Sequence, residues 1–272
     1  MPRAGKPSAT PRLATQGQLK MSSDTTTGPL LSVQGVTRSF GALVALDDLS
    51  FDIERGEIFG VAGPNGAGKS TLLNVCTGTL KPNSGKIFFN NERIDGWSPH
   101  RLCHKALART FQIPQIFSSF SVDENVAVGT LFGLGKKSIG GRTKREFRDE
   151  ILVECGLDPR RDMMASKVDL LTRKMTMLAA SLATKPEMVF MDEPLAGFTT
   201  DEIDQMIALI LHLRGRLDIT FMIIEHKVRA LTHMSDRIMI LDHGQRICLD
   251  APLNVMRDPK VVEIYLGSES VA

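Results

Sequence analysis

Sulfur chemistry is scarce in this chain. Its 272 residues contain four cysteines, Cys76, Cys103, Cys155 and Cys248, and no two of them share a CxxC or other metal-ligand spacing. The scatter excludes a disulfide scaffold or a zinc ribbon and fits isolated buried thiols in a reducing compartment. Long apolar runs are missing as well. The longest candidates, such as MTMLAASLA, are about half of the ~18–20 residues that a bilayer crossing requires. Residues 1–29 lack the apolar core of a secretory signal. Rich in Pro, Ser, Thr and Gly with a basic bias, they read as a disordered leader. A formal charge of +2 implies neither a nucleic-acid nor a lipid partner. A more local gap lies between Gly156 and Gly197, a stretch with no glycine at all.

What is present is ordinary globular material, 42% hydrophobic and 24% charged, in a chain long enough for one large domain or two small ones. From Leu30 onward, short β-like runs alternate with amphipathic helices. LLSVQGV, LSFDI and EIFGVAG read as strands, and MVFMD and ITFMII are continuous apolar runs of the kind buried in a parallel sheet. Between the last two, TTDEIDQMIALILHLRGR reads as a helix with a capping box at Thr199 and Glu202 and an inward stripe of Ile203, Met206, Ile207 and Ile210. This alternation predicts an α/β fold with a parallel sheet. Residues 113–182 differ: they read as a helical insert with a surface loop over 133–145, followed by a helix in which Phe147, Ile151 and Cys155 recur at four-residue spacing.

Gly63-Pro64-Asn65-Gly66-Ala67-Gly68-Lys69-Ser70, followed by Thr71, matches G-x-x-x-x-G-K-[ST] at every fixed position. Glycines let main-chain N–H groups turn inward around a phosphate, and the helix that starts near Lys69 points its positive end at the same oxygens. Lys69 is placed to reach the β- and γ-phosphates of ATP, and Ser70 to offer its hydroxyl to Mg²⁺. A strand-like run before the motif and a helix after it supply the context it requires. The apolar run Met188–Met191 ends in Asp192 and Glu193. Strand alternation sends the two acids in different directions, Asp192 toward the metal and Glu193 toward an attacking water as base or orienter.

These texts, together with RSFGALVALDDLSFDI, ARTFQ, MDEPLAGFT and IIEHK, resemble the ATP-binding subunits of ABC transporters over roughly residues 30 to 268. The resemblance implies a P-loop ATPase with a mostly parallel core sheet, an antiparallel β subdomain, the helical insert and a short tail over 269–272. It also implies roles for single residues. Phe40 stacks on adenine, or is otherwise a core aromatic. Gln112 contacts Mg²⁺ and the lytic water. His226 contacts the γ-phosphate, where a lone histidine would more often be structural. The passages GLDPRRDMMASKVDLL, SLATKPEMVFMDEPLAG and DPKVVEIYLG are similar to the branch that imports branched-chain amino acids and related solutes. Members of that branch work at the cytoplasmic face of the inner membrane as peripheral subunits. The resemblance implies as partners integral permease subunits, a second ATPase chain or a second copy of this one, and an extracytoplasmic solute-binding protein. Superfamily members that act on nucleic acid join two ATPase halves or carry coiled-coil insertions; this chain has neither, so no nucleic-acid partner is expected.

One departure stands out. Counting back from SLATKP puts Val168-Asp169-Leu170-Leu171-Thr172 over the family's LSGGQ signature, which closes over the ATP of the opposite subunit with a serine hydroxyl and glycine N–H groups. Losing one preorganised donor costs about 3–4 kcal/mol, and a carboxylate in the serine's place adds repulsion. Arg173 and Lys174 follow, either as compensating charge or, more commonly for such a pair, as a solvated helix start. The expectation is an asymmetric heterodimer in which this chain completes its partner's site poorly. The alternative is a nucleotide-binding regulatory subunit with little turnover of its own.

Overall fold

Three short apolar runs organise the molecule. β3 (Ile58–Ala62), β7 (Met188–Asp192) and β8 (Thr220–Ile224) are almost wholly buried, because the sheet they form is covered on both faces. Alternate residues supply two different cores. Val189, Met191, Phe221 and Ile223 face one cluster, while Met188, Phe190, Met222 and Ile224 face the other. That division explains why these strands read as continuous hydrophobic text with no polar side.

The computed structural model describes residues 28–133 and 138–269. Residues 1–27 of the expected leader, 134–137 of the expected loop, and the end of the tail lie outside the described residues. The central six-stranded sheet runs β10-β9-β3-β8-β7-β6, with β6 (Leu107–Arg109), β9 (Arg237–Asp242) and β10 (Gln245–Asp250) completing it. All its pairings are parallel except β10 on β9. A four-stranded antiparallel sheet, β2-β1-β4-β5, is built from β1 (Leu31–Phe40), β2 (Leu43–Ile53), β4 (Ser84–Phe89) and β5 (Glu92–Arg93). Between the two sheets sits α1 (Lys69–Cys76), which buries Leu72, Leu73, Val75 and Cys76. A mixed α/β architecture with a parallel core sheet and an antiparallel sheet is therefore borne out.

The remaining helices are α2 (Pro99–His104), α3 (Val122–Val128), α4 (Lys144–Glu154), α5 (Leu170–Leu182), α6 (Thr200–Leu217), α7 (Val228–Thr232), α8 (Pro252–Val255) and α9 (Pro259–Glu269). α6 carries the expected capping box, with Thr199 accepting from the Glu202 amide and the Glu202 carboxylate accepting from the Thr199 amide. Its Met206, Ile207 and Ile210 are buried, with Ile203 at the margin. α3, α4 and α5 pack together in the insert, where Phe147, Ile151 and Cys155 are buried as their spacing predicts. α4 starts at Lys144 and takes the last two residues of the expected loop, because Thr143 and Glu146 form a capping box that starts the helix there.

The cysteines require a correction. Cys76 and Cys155 are buried, and burial pushes both thiols up to about 12. Cys103 and Cys248 are half-buried, because α2 and the edge strand β10 each have one face outside the core. No disulfide forms among the described residues. No helix among them is long and apolar enough to cross a membrane.

Phe190 is fully buried in β7. Phe190→Ala is expected to cost about 3–5 kcal/mol in a denaturant melt, and Leu211→Ala, on the outer face of α6, no more than about 0.5 kcal/mol. Equal midpoints for the two variants would contradict this account of the core.

Candidate ATP-binding and hydrolytic site

Parallel strands deliver their following loops to one edge, and here four loops converge there. The loop after β3 is Gly63–Gly68. Its glycines are required by geometry: a Cβ on Gly63 would lie 2.0 Å from the Leu241 carbonyl oxygen, and one on Gly68 2.4 Å from that of Ala45. Both also have φ in the left-handed region, at 153° and 101°. Asn65, Gly66 and Ser70 are exposed at the mouth of the loop, while Ala67 is buried beneath it and Pro64 and Thr71 are half-buried. The first N–H groups of α1 have no intrahelical acceptor, which leaves an electropositive nest suited to phosphate.

Lys69 is 5% exposed, and its Nζ donates to the carbonyl oxygens of Gly63, at 2.7 Å, and Pro64, at 2.8 Å. Burial holds its pKa below the ordinary range, opposed by the carboxylates of Glu193 and Asp192. The loop lysine and both acids therefore share one electrostatic neighbourhood, although they lie more than a hundred residues apart.

Asp192 closes β7, and its Oδ2 accepts from Arg109 Nη2 at 3.1 Å. Arg109 also donates to Asn74 and Thr77 of the P-loop helix and its C-cap, so β6, β7 and α1 are joined at this acid. Glu193 leaves the strand altogether. Its φ is 45°, and its N–H donates to Ile224 at 2.9 Å. A left-handed turn thus separates the two acids, where strand alternation was expected to do so. The Glu193 carboxylate is held from both sides: Gln112 Nε2 donates to Oε2 at 2.5 Å, and His226 Nε2 lies 2.5 Å from Oε1. Gln112 follows β6 and His226 follows β8, so residues from three loops meet on one carboxylate.

Phe40 ends β1 and is 44% exposed, which removes the core-aromatic alternative. The Arg38 guanidinium covers one of its faces, 4.6 Å from the ring centroid.

The stretch VDLLT forms a well-made helix start. Asp169 is the N-cap of α5, and its Oδ1 accepts from the Thr172 amide at 2.7 Å. Hydrogen bonds from Thr172 hold this carboxyl below its usual range. The expected loss of donors is also smaller than the side chains suggest. The amides of Leu170 and Leu171 occupy the first two helical positions, which have no intrahelical acceptor. What the departure from the signature removes is the serine hydroxyl and the access that glycine gives to those amides. Lys174 contradicts the reading of a solvated pair. It is 3% exposed, and Nζ donates to the carbonyl oxygens of Glu193, Pro194 and Ala196. Arg173 is half-buried and donates to the carbonyl oxygens of Val168 and Ser166.

A profile for ABC transporters matches residues 46–196. The chain belongs to the ABC transporter family. It is 31% identical to the high-affinity branched-chain amino acid transport ATP-binding protein BraF of Pseudomonas aeruginosa, across 88% of this chain and 98% of that one. It is 32% identical to the probable branched-chain amino acid transport ATP-binding protein LivG of Methanocaldococcus jannaschii, across 88% and 97%. Among solved structures, the ADP conformation of an ATP-binding cassette of an ABC transporter superposes with a TM-score of 0.80 at 34% identity, covering 89% of this chain and all of that one. The family expected from the motifs is thus borne out, and the chain is an ABC-type transport ATPase.

Two charged residues escape the sequence reading of the site, Arg109 and Glu225, and Lys174 reads there as a surface charge or as compensation at the signature. Arg109 and Glu225 stand inside the quoted texts ARTFQ and IIEHK, each at the end of an apolar strand, where an uncompensated charge is a usable signal. Glu225 is 3% exposed and accepts from the Leu195 amide at 2.7 Å. Burial pushes its carboxyl up to about 7, against the influence of that amide and of Lys174. The unfolded chain releases the same proton near the ordinary value of 4.5. Between those values the folded state binds more protons, so stability falls as pH rises. Relative to Glu225→Gln, the wild type is expected to lose roughly 1 kcal/mol per pH unit in denaturant melts between pH 5 and 7. Parallel curves for the two proteins would contradict the burial of an ionisable carboxyl here.

Proposed function

We propose that this chain is the energy-coupling ATPase subunit of an importer, binding Mg·ATP at the P-loop and hydrolysing it to drive separate integral membrane permease subunits. The reading rests on one observation above all: Gln112 and His226, from different loops, close on the Glu193 carboxylate beside the P-loop lysine. In this proposal the nest of residues 63–71 grips the β- and γ-phosphates, and Lys69 exchanges its carbonyl partners for phosphate oxygens. Glu193 takes the proton of the attacking water, with Gln112 orienting that water and His226 turned to the γ-phosphate.

Mg²⁺ fits the donor set. Ser70 offers a hydroxyl, Gln112 an amide oxygen, and Asp192 its second carboxylate oxygen, all hard oxygens. No group of three or more His, Cys, Asp or Glu among the described residues could hold a metal. The ion therefore suits arrival with the phosphates, which is how Mg²⁺ commonly binds. Once bound, it would neutralise charge that builds on the phosphate oxygens.

The names of the relatives favour branched-chain amino acids or similar small polar solutes as cargo. An extracytoplasmic solute-binding protein would select that cargo, and the ATPase would sit peripherally at the cytoplasmic face of the inner membrane. Phe111, Ile113 and Phe117, exposed beside Gln112, are apolar enough to receive a permease segment. The second ATPase chain completes each site, and the poor signature over Asp169–Leu171 favours a heterodimer. A regulatory subunit with little turnover would have no use for the closed Gln112–Glu193–His226 arrangement.

Lys69→Ala is expected to abolish saturable binding of fluorescent ATP. Glu193→Gln should keep that binding and lose turnover by about 10²-fold or more. Retained binding in the first variant, or unchanged turnover in the second, would overturn the assignment. Replacing Asp169 by Ser together with Leu170→Gly and Leu171→Gly should raise turnover of the purified chain about tenfold or more, within the range of a restored donor. No gain would remove the argument for asymmetry.

A further inference from the structure

Glu193 sits in backbone geometry that a residue with a Cβ adopts only under compulsion. Its φ of 45° lies in the left-handed region, and four residues later Gly197 has φ 81°. Such a conformation costs of order 1–3 kcal/mol and persists only where its surroundings over-determine it. Two buried polar side chains do so here. From below, Lys174 spends its ammonium protons on three carbonyl oxygens of the same turn: Glu193 at 3.2 Å, Pro194 at 3.0 Å and Ala196 at 2.9 Å. From the side, Glu225 accepts the Leu195 amide at 2.7 Å. The turn's carbonyls and its central amide are thus held by side chains from α5 and from the end of β8. Glu225 is itself fixed, because its own N–H donates to Val61 at 3.1 Å, immediately before the P-loop.

We propose that Lys174 and Glu225 are positioning residues for the hydrolytic carboxylate: the buried pair locks the 193–197 turn and so aims Glu193 between Gln112 and His226. Neither touches nucleotide. The ammonium satisfies carbonyls that the left-handed turn withdraws from the β-ladder, and the carboxyl satisfies an amide that the same turn buries. A second consequence follows from where Lys174 stands. It lies in the second turn of α5, five residues after the cap Asp169. The surface that faces an opposing subunit and the carboxylate of the chain's own site are therefore joined by one side chain. A displacement of the start of α5 is transmitted to Glu193 through three hydrogen bonds.

This inference rests on Glu193 being the group that activates water, and the test separates the two. Steady-state ATP turnover of the full chain is measured above the Glu193→Gln background. Lys174→Met and Glu225→Leu are each expected to lower kcat tenfold or more while KM for ATP stays within about twofold. Lys174→Arg and Glu225→Gln, which keep the donors and the acceptor, should stay within about threefold of wild type. Hydrogen exchange reads the turn without nucleotide: the Leu195 amide should exchange at least tenfold faster in Lys174→Met and Glu225→Leu, with the amides of β3 unchanged. Wild-type kcat in both disruptive variants, a loss explained entirely by a smaller folded fraction, or an unchanged Leu195 amide would each overturn the proposal. A wild type that turns over no faster than Glu193→Gln would defeat the function proposed for Glu193, leaving exchange at Leu195 to decide whether the lock exists.

Discussion

The turn that follows β7 is the constraint on which the rest of the site depends. A strand that continued past Asp192 would send the next carboxylate along the sheet, away from the loops of β3, β6 and β8. The chain instead breaks into left-handed geometry at Glu193, and the N–H there donates to Ile224 across the sheet edge. That break lets one carboxylate meet Gln112 and His226 together. It also exposes main-chain groups that must find partners away from water. Lys174 and Glu225 are the partners found, and the burial of both side chains follows from that need.

Much of this was legible in the sequence because it is local. A phosphate loop is eight consecutive residues whose spacing states its geometry, and a doubly covered parallel strand advertises itself as four or five apolar residues in a row. The capping box at Thr199 and Glu202 is readable for the same reason. The supporting charges were not legible. Arg109 joins residues 35 positions before it and 83 after it, and Lys174 reaches carbonyls about twenty positions away. Nothing in the neighbouring text distinguishes a lysine at a helix start that faces water from one that faces a turn. The left-handed residue at Glu193 was invisible for a related reason: a non-glycine adopts it only when tertiary contacts impose it.

The signature region shows how a departure in sequence can be a smaller departure in structure. Asp169 caps its helix and remains ionised, and the amides at the helix start persist whatever side chains they carry. What changes is access and charge: an exposed leucine and a carboxylate stand where a hydroxyl and glycines would leave an open donor surface. Helix α5 thus exposes Leu170 at its start while its Lys174 holds the turn after β7. In the proposed heterodimer, a subunit built this way would keep its own hydrolytic parts ordered and give less to the opposite site.

Where the γ-phosphate lies is read directly by a crystal structure of the Glu193→Gln protein with Mg·ATP. Lys69 Nζ is expected to be released from the Gly63 and Pro64 carbonyls and bound to phosphate oxygens, with the γ-phosphate facing residue 193 and His226. Nucleotide bound with Lys69 still on those carbonyls and the γ-phosphate away from residue 193 would contradict it.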